Sequence, residues 1–433
     1  MKTVSFLGFG KSNRAVFEYL RAFSHLSFLI RDEGREIPLP PKGVKLLLGK
    51  ECFLPWGEDV IFLSPSVRRE RREVRALLDS GVKPLSDAEL FFLTEPERVI
   101  AISGSDGKST TAALTGRMLE LSGIDARVCG NFGIPMTPMA EEDAVFVAEL
   151  SSFTLRYLKP RVMRAAITNV TPNHLNWHES FEEYAAAKLG IYENAKEAVI
   201  NADEPRVLGI KPFAAFSTEK PFKELSLAVR AEVYYTLEGE WIKRNGERLI
   251  LRERMALTGL HNVKNALCAL SLTDGMAQRD ACATALSTFR GLRHRMELVG
   301  EAAGQRFYDS SIDSTPERTR VTLSSFRGRA AVILGGRDKG VSYAPLLEAV
   351  TERVAAVILL GENADKLFDF FKSAAVNVPL IFARDMDEAV FFAAGFLVDV
   401  ILSPAATSFD RYESFEARGD DFARAVRKLK NKF

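Results

Sequence analysis

The sequence predicts an α/β protein of three domains, with Rossmann-like N-terminal and C-terminal domains flanking a central P-loop-type α/β domain. Three observations predict it. An apolar run passes through a glycine turn three times, at Gly8-Phe9-Gly10, at Gly104-Ser105-Asp106-Gly107 and at Gly335-Gly336, and helical segments alternate with these runs. Further apolar runs at 60–64, 144–148, 164–167, 354–360 and 400–402 lead into polar residues, as in a sheet whose carboxyl edge gathers functional groups. At 433 residues the chain is also too long for a single core. The expected divisions are 1–93, 94–290 and 291–433, with Glu95-Pro96-Glu97-Arg98 as a linker and a change of character from Gly291.

Composition narrows the class. A formal charge of +1 gives no basic excess for nucleic acid, and 47% apolar with 27% charged residues is the balance of a globular protein. The basic stretch 68–75 alternates with Glu70 and Glu73, the pattern of a solvated helix face. Cys52, Cys129, Cys268 and Cys282 form no CxxC pair, so neither a disulfide framework nor a zinc site is expected and a reducing, cytoplasmic setting fits. Residues 1–8 enter a strand without a signal-peptide layout, and the apolar run 389–398 is too short to span a bilayer, so no membrane insertion is expected.

Taken in order, the strand at 4–7 runs into Gly8-Phe9-Gly10-Lys11-Ser12-Asn13, followed by an amphipathic segment at 14–23 and a strand at 26–30 that ends in Arg31-Asp32. Asn13 stands where a dinucleotide fingerprint has its third glycine, which leaves three readings open: a dinucleotide site, a site for another nucleotide such as a uridine diphosphate sugar, or a structural turn. The strand ending at Ser64-Pro65-Ser66 opens on the same crevice.

The strand at 99–102 leads into Gly104-Ser105-Asp106-Gly107-Lys108-Ser109-Thr110, and a helix follows at 111–122. Glycines let the backbone wrap a polyphosphate, the first helical amides point at it, and the helix dipole favours its charge. Lys108 adds a cation for the outer phosphates, and a hydroxyl of Ser109 or Thr110 is a Mg2+ ligand. Glu149 at a neighbouring strand end supplies a second oxygen ligand for a hard cation. In Thr171-Pro172-Asn173-His174-Leu175-Asn176-Trp177-His178 the two histidines lack a third ligand for zinc, and His174 is read as a magnesium or phosphate-site ligand. Lys188, on a helix at 185–192, reads from spacing alone as a surface lysine.

The segments Gly104–Thr111, Gly130-Asn131-Phe-Gly133-Ile-Pro135, Glu149-Leu-Ser-Ser-Phe153, Asn169-Val-Thr-Pro-Asn-His174, Lys188-Leu-Gly-Ile-Tyr-Glu-Asn194, His261-Asn262-Val-Lys-Asn265, Gly291-Leu-Arg-His-Arg295-Met-Glu297 and Asp309-Ser310 follow one another in a recognisable order. Together they resemble the Mur ligases of peptidoglycan synthesis, and 402–410 with Phe415-Glu-Ala-Arg418-Gly419 resembles their D-glutamate-adding branch. The resemblance implies a central ATPase domain and an acyl-phosphate mechanism: ATP phosphorylates the carboxylate of UDP-N-acetylmuramoyl-L-alanine, and the amine of a D-amino acid displaces phosphate. It implies that Gly104, Ser105, Asp106, Gly107, Lys108, Ser109 and Thr110 hold the ATP phosphates, Asn262 and Asn265 the adenine, and Arg295 and Asp309 the rest of the nucleotide. Ser109 and Glu149 would serve one Mg2+, and His174 with a carbamylated Lys188 a second. Gly10, Lys11, Ser12, Asn13, Arg31, Ser64 and Asn131 would meet the uridine nucleotide, while Ser311, Asp313, Lys339, Ser408 and Phe415 would meet the amino acid. A monomer is expected, with closure of its domains assembling the site.

The chain departs from that family at two places. Asn173 and Asn176 stand where it has Asp. Asp309-Ser310-Ser311-Ile312-Asp313 stands where the D-glutamate branch reads Asp-Ser-Lys-Ala-Thr, so a cation is missing and an anion is added, and the expectation is a relaxed site accepting D-lysine beside D-glutamate. The alternatives are a folylpolyglutamate synthetase, a nicotinamide-dependent dehydrogenase resting on Gly8 and Gly10, and a nucleotide-regulated binding protein without catalysis.

Overall fold

The computed structural model describes residues 2–34, 36–37, 40–94, 96–174, 177–302, 304–326, 328–338 and 340–431. The chain divides into two compact units, Met1–Phe289 and Arg290–Phe433. Among the described residues, no helix is long and apolar enough to cross a membrane.

The first unit contains two sheets. The first, all parallel, runs in the order Lys45–Leu48, Leu26–Asp32, Lys2–Leu7, Val60–Leu63, Lys83–Leu85. The chain therefore starts in the middle and fills both sides, which puts a switch point at the carboxyl ends of Lys2–Leu7 and Val60–Leu63. Phe6 lies at the centre of the core, its ring 5.5 Å from Phe62 and 5.9 Å from both Phe9 and Phe17. The helix Lys11–Leu20 begins three residues earlier than the amphipathic spacing predicts, because Gly10 is extended and caps it.

Arg31 corrects an expectation. Its side chain is wholly enclosed, with the guanidinium donating to Cys52 O and Leu54 O at 2.8 Å and paired with the Glu58 carboxylate. It ties its strand to the segment 52–58 and offers no exposed surface to a ligand. The stretch 68–75 also differs from a solvated helix face. Only Arg72–Leu78 is helical, and Arg69 pairs with Glu89 at 2.5 Å.

The second sheet has nine strands, in the order Glu247–Leu251, Trp241–Arg244, Val233–Glu238, Ala214–Ser217, Ala195–Asn201, Val162–Ile167, Val99–Ser103, Val145–Glu149, Ala126–Gly130. Trp241–Arg244 pairs antiparallel with both of its neighbours, and every other pairing is parallel. Strand Val99–Ser103 is apolar throughout because both its faces are covered. Ile100 and Ile102 pack under the helices Lys108–Leu121 and Leu260–Thr273, while Val99 and Ala101 belong to the opposite core with Phe146 and Tyr184. Its register sets Ile102 beside Glu149 and Ser103 beside Ile167, so three strand ends emerge together. The helix expected over 262–278 stops at Thr273, where Asp274 turns extended and Gly275 takes φ +72°.

The second unit has one six-stranded sheet, in the order Glu297–Ala302, Gln305–Asp309, Asp399–Leu402, Ala330–Leu334, Val354–Leu359, Leu380–Phe382. Only Glu297–Ala302 is antiparallel, a hairpin strand that the sequence patterning does not announce. The fully enclosed Asp309 carboxylate holds His294 Nδ1 at 2.7 Å, and Gly419 lets the helix Phe415–Lys430 lie directly on that pair, since a Cβ there would overlap both groups.

Two outcomes follow from these buried groups. Arg31→Met leaves Glu58 and two carbonyls without their partner, and it should lower the unfolding free energy by about 3–5 kcal/mol in urea titration. The bond to Asp309 raises the pKa of His294 above its ordinary 6.5, so His294 binds its proton more tightly folded than unfolded. That contribution is complete below about pH 6.5 and is lost as pH rises through the folded value. Stability measured against pH should show this decline, and His294→Gln should flatten it.

Candidate functional site

The loop 104–107 is held by its neighbours rather than by its own side chains. Gly104 and Gly107 have φ of +142° and +80°, and a Cβ at either would overlap Thr168 Oγ1 or Asn265 Oδ1 respectively. Asp106 N donates to Asn169 Oδ1 at 3.0 Å, and Asp106 O accepts from Thr168 Oγ1 at 2.6 Å. Ser105 Oγ lies 2.8 Å from the Tyr184 hydroxyl and donates to Thr171 O. The helix Lys108–Leu121 starts at Gly107 with no side-chain cap, which leaves its first amides facing the loop for an anion. Lys108 Nζ donates to Ser105 O at 2.8 Å, Ser109 is buried and Thr110 half-buried. Asn265 stands over Gly107 and donates to Asn262 Oδ1 at 3.3 Å.

Two ionisable groups are enclosed beside this loop. Glu149 is 1% exposed; its Oε1 accepts from Asn131 Nδ2 at 3.0 Å, and its buried Oε2 has no hydrogen-bond partner among the described residues. Lys188, on the helix Phe181–Leu189, is 2% exposed and donates to Gly104 O at 2.6 Å, its nitrogen 4.7 Å from the Tyr184 ring centre. Burial, reinforced by Lys108 and opposed by Glu149 and Asp106, lowers its pKa to about 7. Spacing made Lys188 a surface residue, and the structure corrects that. The unpartnered Glu149 oxygen, beside a buried hydroxyl-bearing helix start, is the kind of oxygen donor a hard cation takes, so the residues fit Mg2+.

His174 and His178 separate. His174 is exposed, with φ +54°, and its ring lies 5.0 Å from Phe153 and 6.4 Å from Tyr184. His178 is buried, bonded to Ser152 Oγ at 2.9 Å, and burial pushes its pKa down to about 4. Asn173 is exposed and accepts from His174 N, while Asn176 lies outside the described residues.

The carboxyl edge of the first sheet and the end of the Glu149 strand border one cleft of about 200 Å³, lined by Lys11, Ser12, Pro65, Ser86, Asn131 and Glu149. Gly8 takes φ +79° and comes so close to Ser64 that a Cβ would lie 2.9 Å from its side chain. Lys11 Nζ reaches Gly133 O at 2.9 Å. Asn13 is turned inward instead, its amide nitrogen on Leu7 O, Gly8 O and Phe62 O. It braces the turn that Gly10 opens.

In the second unit Asp309 Oδ1 accepts from Ser311 N at 2.8 Å, and Ser311 is itself enclosed. Arg418, 3% exposed, donates to Ser311 Oγ at 2.9 Å, to Ser311 O at 2.8 Å and to Ala406 O at 3.1 Å. Burial lowers its pKa to about 10, which leaves it charged at neutral pH. Asp313 is also buried, with Oδ2 accepting from Ser403 Oγ at 2.7 Å and Thr322 Oγ1 at 2.8 Å. Ser408 is buried, Phe415 half-buried and Arg295 exposed, and Lys339 lies outside the described residues. Arg418 and His294 stand within motifs quoted above, but neither residue type nor spacing singles them out. What picks them out is burial.

A model of the Mur ligase middle domain matches residues 102–273, and one of the Mur ligase glutamate ligase domain matches residues 294–402. The UDP-N-acetylmuramoylalanine–D-glutamate ligases of Ruminiclostridium cellulolyticum and Acetivibrio thermocellus are each 33% identical to this chain, over 454 and 457 residues. In both cases the match covers 99% of this chain and 97% of the relative. Among solved structures, the UDP-N-acetylmuramate–alanine ligase of Thermotoga maritima aligns over 99% of this chain and 100% of its own, with a TM-score of 0.60 at 18% identity. A pseudomurein peptide ligase type C of Methanothermus fervidus aligns with a TM-score of 0.53 at 17% identity, over 99% of this chain and 100% of its own. These two likenesses are of fold. The full-length identity and the two matching domain models bear out the resemblance read from the motifs: the chain belongs to the Mur ligase family.

Proposed function

We propose that this chain is an ATP-dependent ligase that joins D-glutamate to UDP-N-acetylmuramoyl-L-alanine, releasing ADP and phosphate. One observation carries the reading beyond family membership: Lys11 and Ser12 at the switch point of the first sheet border the same cleft as Asn131 and Glu149, whose strand pairs with the one that leads into the phosphate loop. A uridine nucleotide anchored at Lys11 and Ser12 can thus extend its acyl end toward the phosphate loop. Three sheets support three domains at 1–93, 94–290 and 291–433.

In this reading Lys108 and the first amides of its helix hold the outer phosphates in line with the substrate carboxylate. The carboxylate oxygen bonds to the γ-phosphorus as the bond to ADP breaks. The free amine of D-glutamate then attacks the carbonyl carbon of the acyl phosphate, a C–N bond forms, phosphate leaves with the C–O electron pair, and the amine proton passes to solvent. An oxide is a poor leaving group, which is why the carboxylate is phosphorylated first, and the protein contributes by holding both reactants at the phosphate loop. Mg2+, when bound by Ser109 and Glu149 and a second time by His174 and a carbamylated Lys188, supplies positive charge for the phosphate oxygens. The carbamate reading is supported by the enclosure of Lys188 against Gly104 O, which favours an uncharged amine able to add CO2.

On the amino-acid side, Arg418 supports D-glutamate. It brings a cation to Ser311, where the family's lysine is missing, while Asp313 is turned onto Ser403 and Thr322. The relaxed selectivity expected from those two positions is therefore the competing outcome of the assay.

Phosphate release from ATP should require both UDP-N-acetylmuramoyl-L-alanine and D-glutamate, with D-lysine and L-lysine inert. Release with D-lysine would restore the relaxed-site reading, and release with none would reject the ligase assignment. Lys188→Arg keeps a long basic side chain but cannot form a carbamate, so kcat should fall ~10²–10³-fold, as for loss of a transition-state contact, in a protein whose circular dichroism is unchanged. Wild-type activity should fall in buffer stripped of CO2 and return with bicarbonate, whereas the variant should respond to neither.

A further inference from the structure

Among the described residues, Trp177 and His178 both fasten the turn that carries His174, and neither has a role in the mechanism above. Trp177 N and His178 N both donate to His174 O, at 2.9 and 3.0 Å. His174 is in the left-handed region, so contacts outside its own backbone must hold it there. One is the buried bond of His178 Nε2 to Ser152 Oγ, three residues beyond Glu149, with the imidazole stacked 5.9 Å from Phe153. The other is the Trp177 indole, which donates from Nε1 to Ser66 O at 3.2 Å and lies 4.4 Å from Phe153. Arg68 reinforces it, 5.5 Å over the Trp177 ring and paired with Glu179 at 3.1 Å. Ser66 lies two residues past Ser64, at the edge of the nucleotide crevice, and their hydroxyls are 3.2 Å apart.

We propose that His178 and Trp177 are positioning residues: His178 seats the His174 turn against the Glu149 strand end, and Trp177 ties that seat to the rim of the nucleotide crevice. A uridine nucleotide that orders the Ser64–Ser66 rim then also orders the His174 turn, and by linkage each ligand tightens the other. The inference rests on the ligase reading. A single hydrogen bond of this kind sets the coupling at about 3- to 10-fold.

The test is calorimetric binding of a non-hydrolysable ATP analogue with Mg2+, in the presence and absence of UDP-N-acetylmuramoyl-L-alanine. Wild type should show each ligand tightening the other by several-fold. Trp177→Phe keeps the ring against Phe153 but loses the bond to Ser66, so each ligand alone should bind nearly as before while the mutual tightening disappears. His178→Phe and Ser152→Ala break the second bond from either side. Both should lower kcat by about tenfold, the equivalent of 1.4 kcal/mol, with the KM for the uridine substrate unchanged. His178→Gln, whose amide reaches the same hydroxyl, should restore most of it. Unchanged coupling in Trp177→Phe, or unchanged kcat per folded molecule in both His178→Phe and Ser152→Ala, overturns the proposal. If wild type binds no uridine substrate, the ligase reading fails first and takes this inference with it.

Discussion

A Cβ at Gly104 would overlap the Thr168 hydroxyl and one at Gly107 the Asn265 amide, and the layout of the first unit depends on those two missing atoms. Without them the loop descends until Asp106 exchanges hydrogen bonds with Thr168 and Asn169. The descent places the uncapped helix start over the ends of three parallel strands, whose register has already brought Ser103, Glu149 and Ile167 side by side. Any larger residue would lift the loop off its floor. The cost would be several of these bonds at once, because they share a single short stretch of backbone.

Around that floor two ionisable groups are withdrawn from solvent. Glu149 and Lys188 are both almost fully enclosed, and their hydrogen bonds go to Asn131 and to Gly104 O rather than to each other. Burial lowers the Lys188 pKa to about 7, and one Glu149 oxygen has no partner among the described residues. An unsatisfied buried carboxylate oxygen is costly in an isolated protein, and retaining it makes sense where a ligand completes the set. At Arg31 and Glu58, by contrast, the two buried charges pair directly with each other. The two sites in one unit thus differ in whether their buried charges are paired directly with an opposite charge.

The second unit makes the same distinction. Asp313 introduces an anion that looks disruptive in the sequence, yet its carboxylate is turned onto Ser403 and Thr322. Arg418 extends a cation to Ser311 from a helix more than a hundred residues away in sequence, across Ala406 O as well. Gly419, next along that helix, provides the close approach that brings the guanidinium in while clearing the His294–Asp309 pair.

The α/β class, the glycine loops and most strands were legible in the sequence because they rest on local periodicity and on backbone geometry that only glycine relieves. Apolar runs with both faces covered, such as Val99–Ser103, announce themselves without any knowledge of their neighbours. Short edge elements such as Glu297–Ala302 and Leu380–Phe382 did not, because their pattern is set by what lies on one side of them. Family motifs brought Lys188, Glu149 and His174 together on the page, but the direction each side chain takes is not a property of the motif. Thus Arg31 and Asn13, set by sequence at the crevice, face inward, and Lys188, unremarkable by spacing, is among the most enclosed side chains of the protein. The sequence by itself determined where the backbone can bend and which stretches must be covered. The tertiary structure alone decided which polar groups are closed off by partners and which are left open, because burial and hydrogen-bond satisfaction depend on residues far apart in the chain.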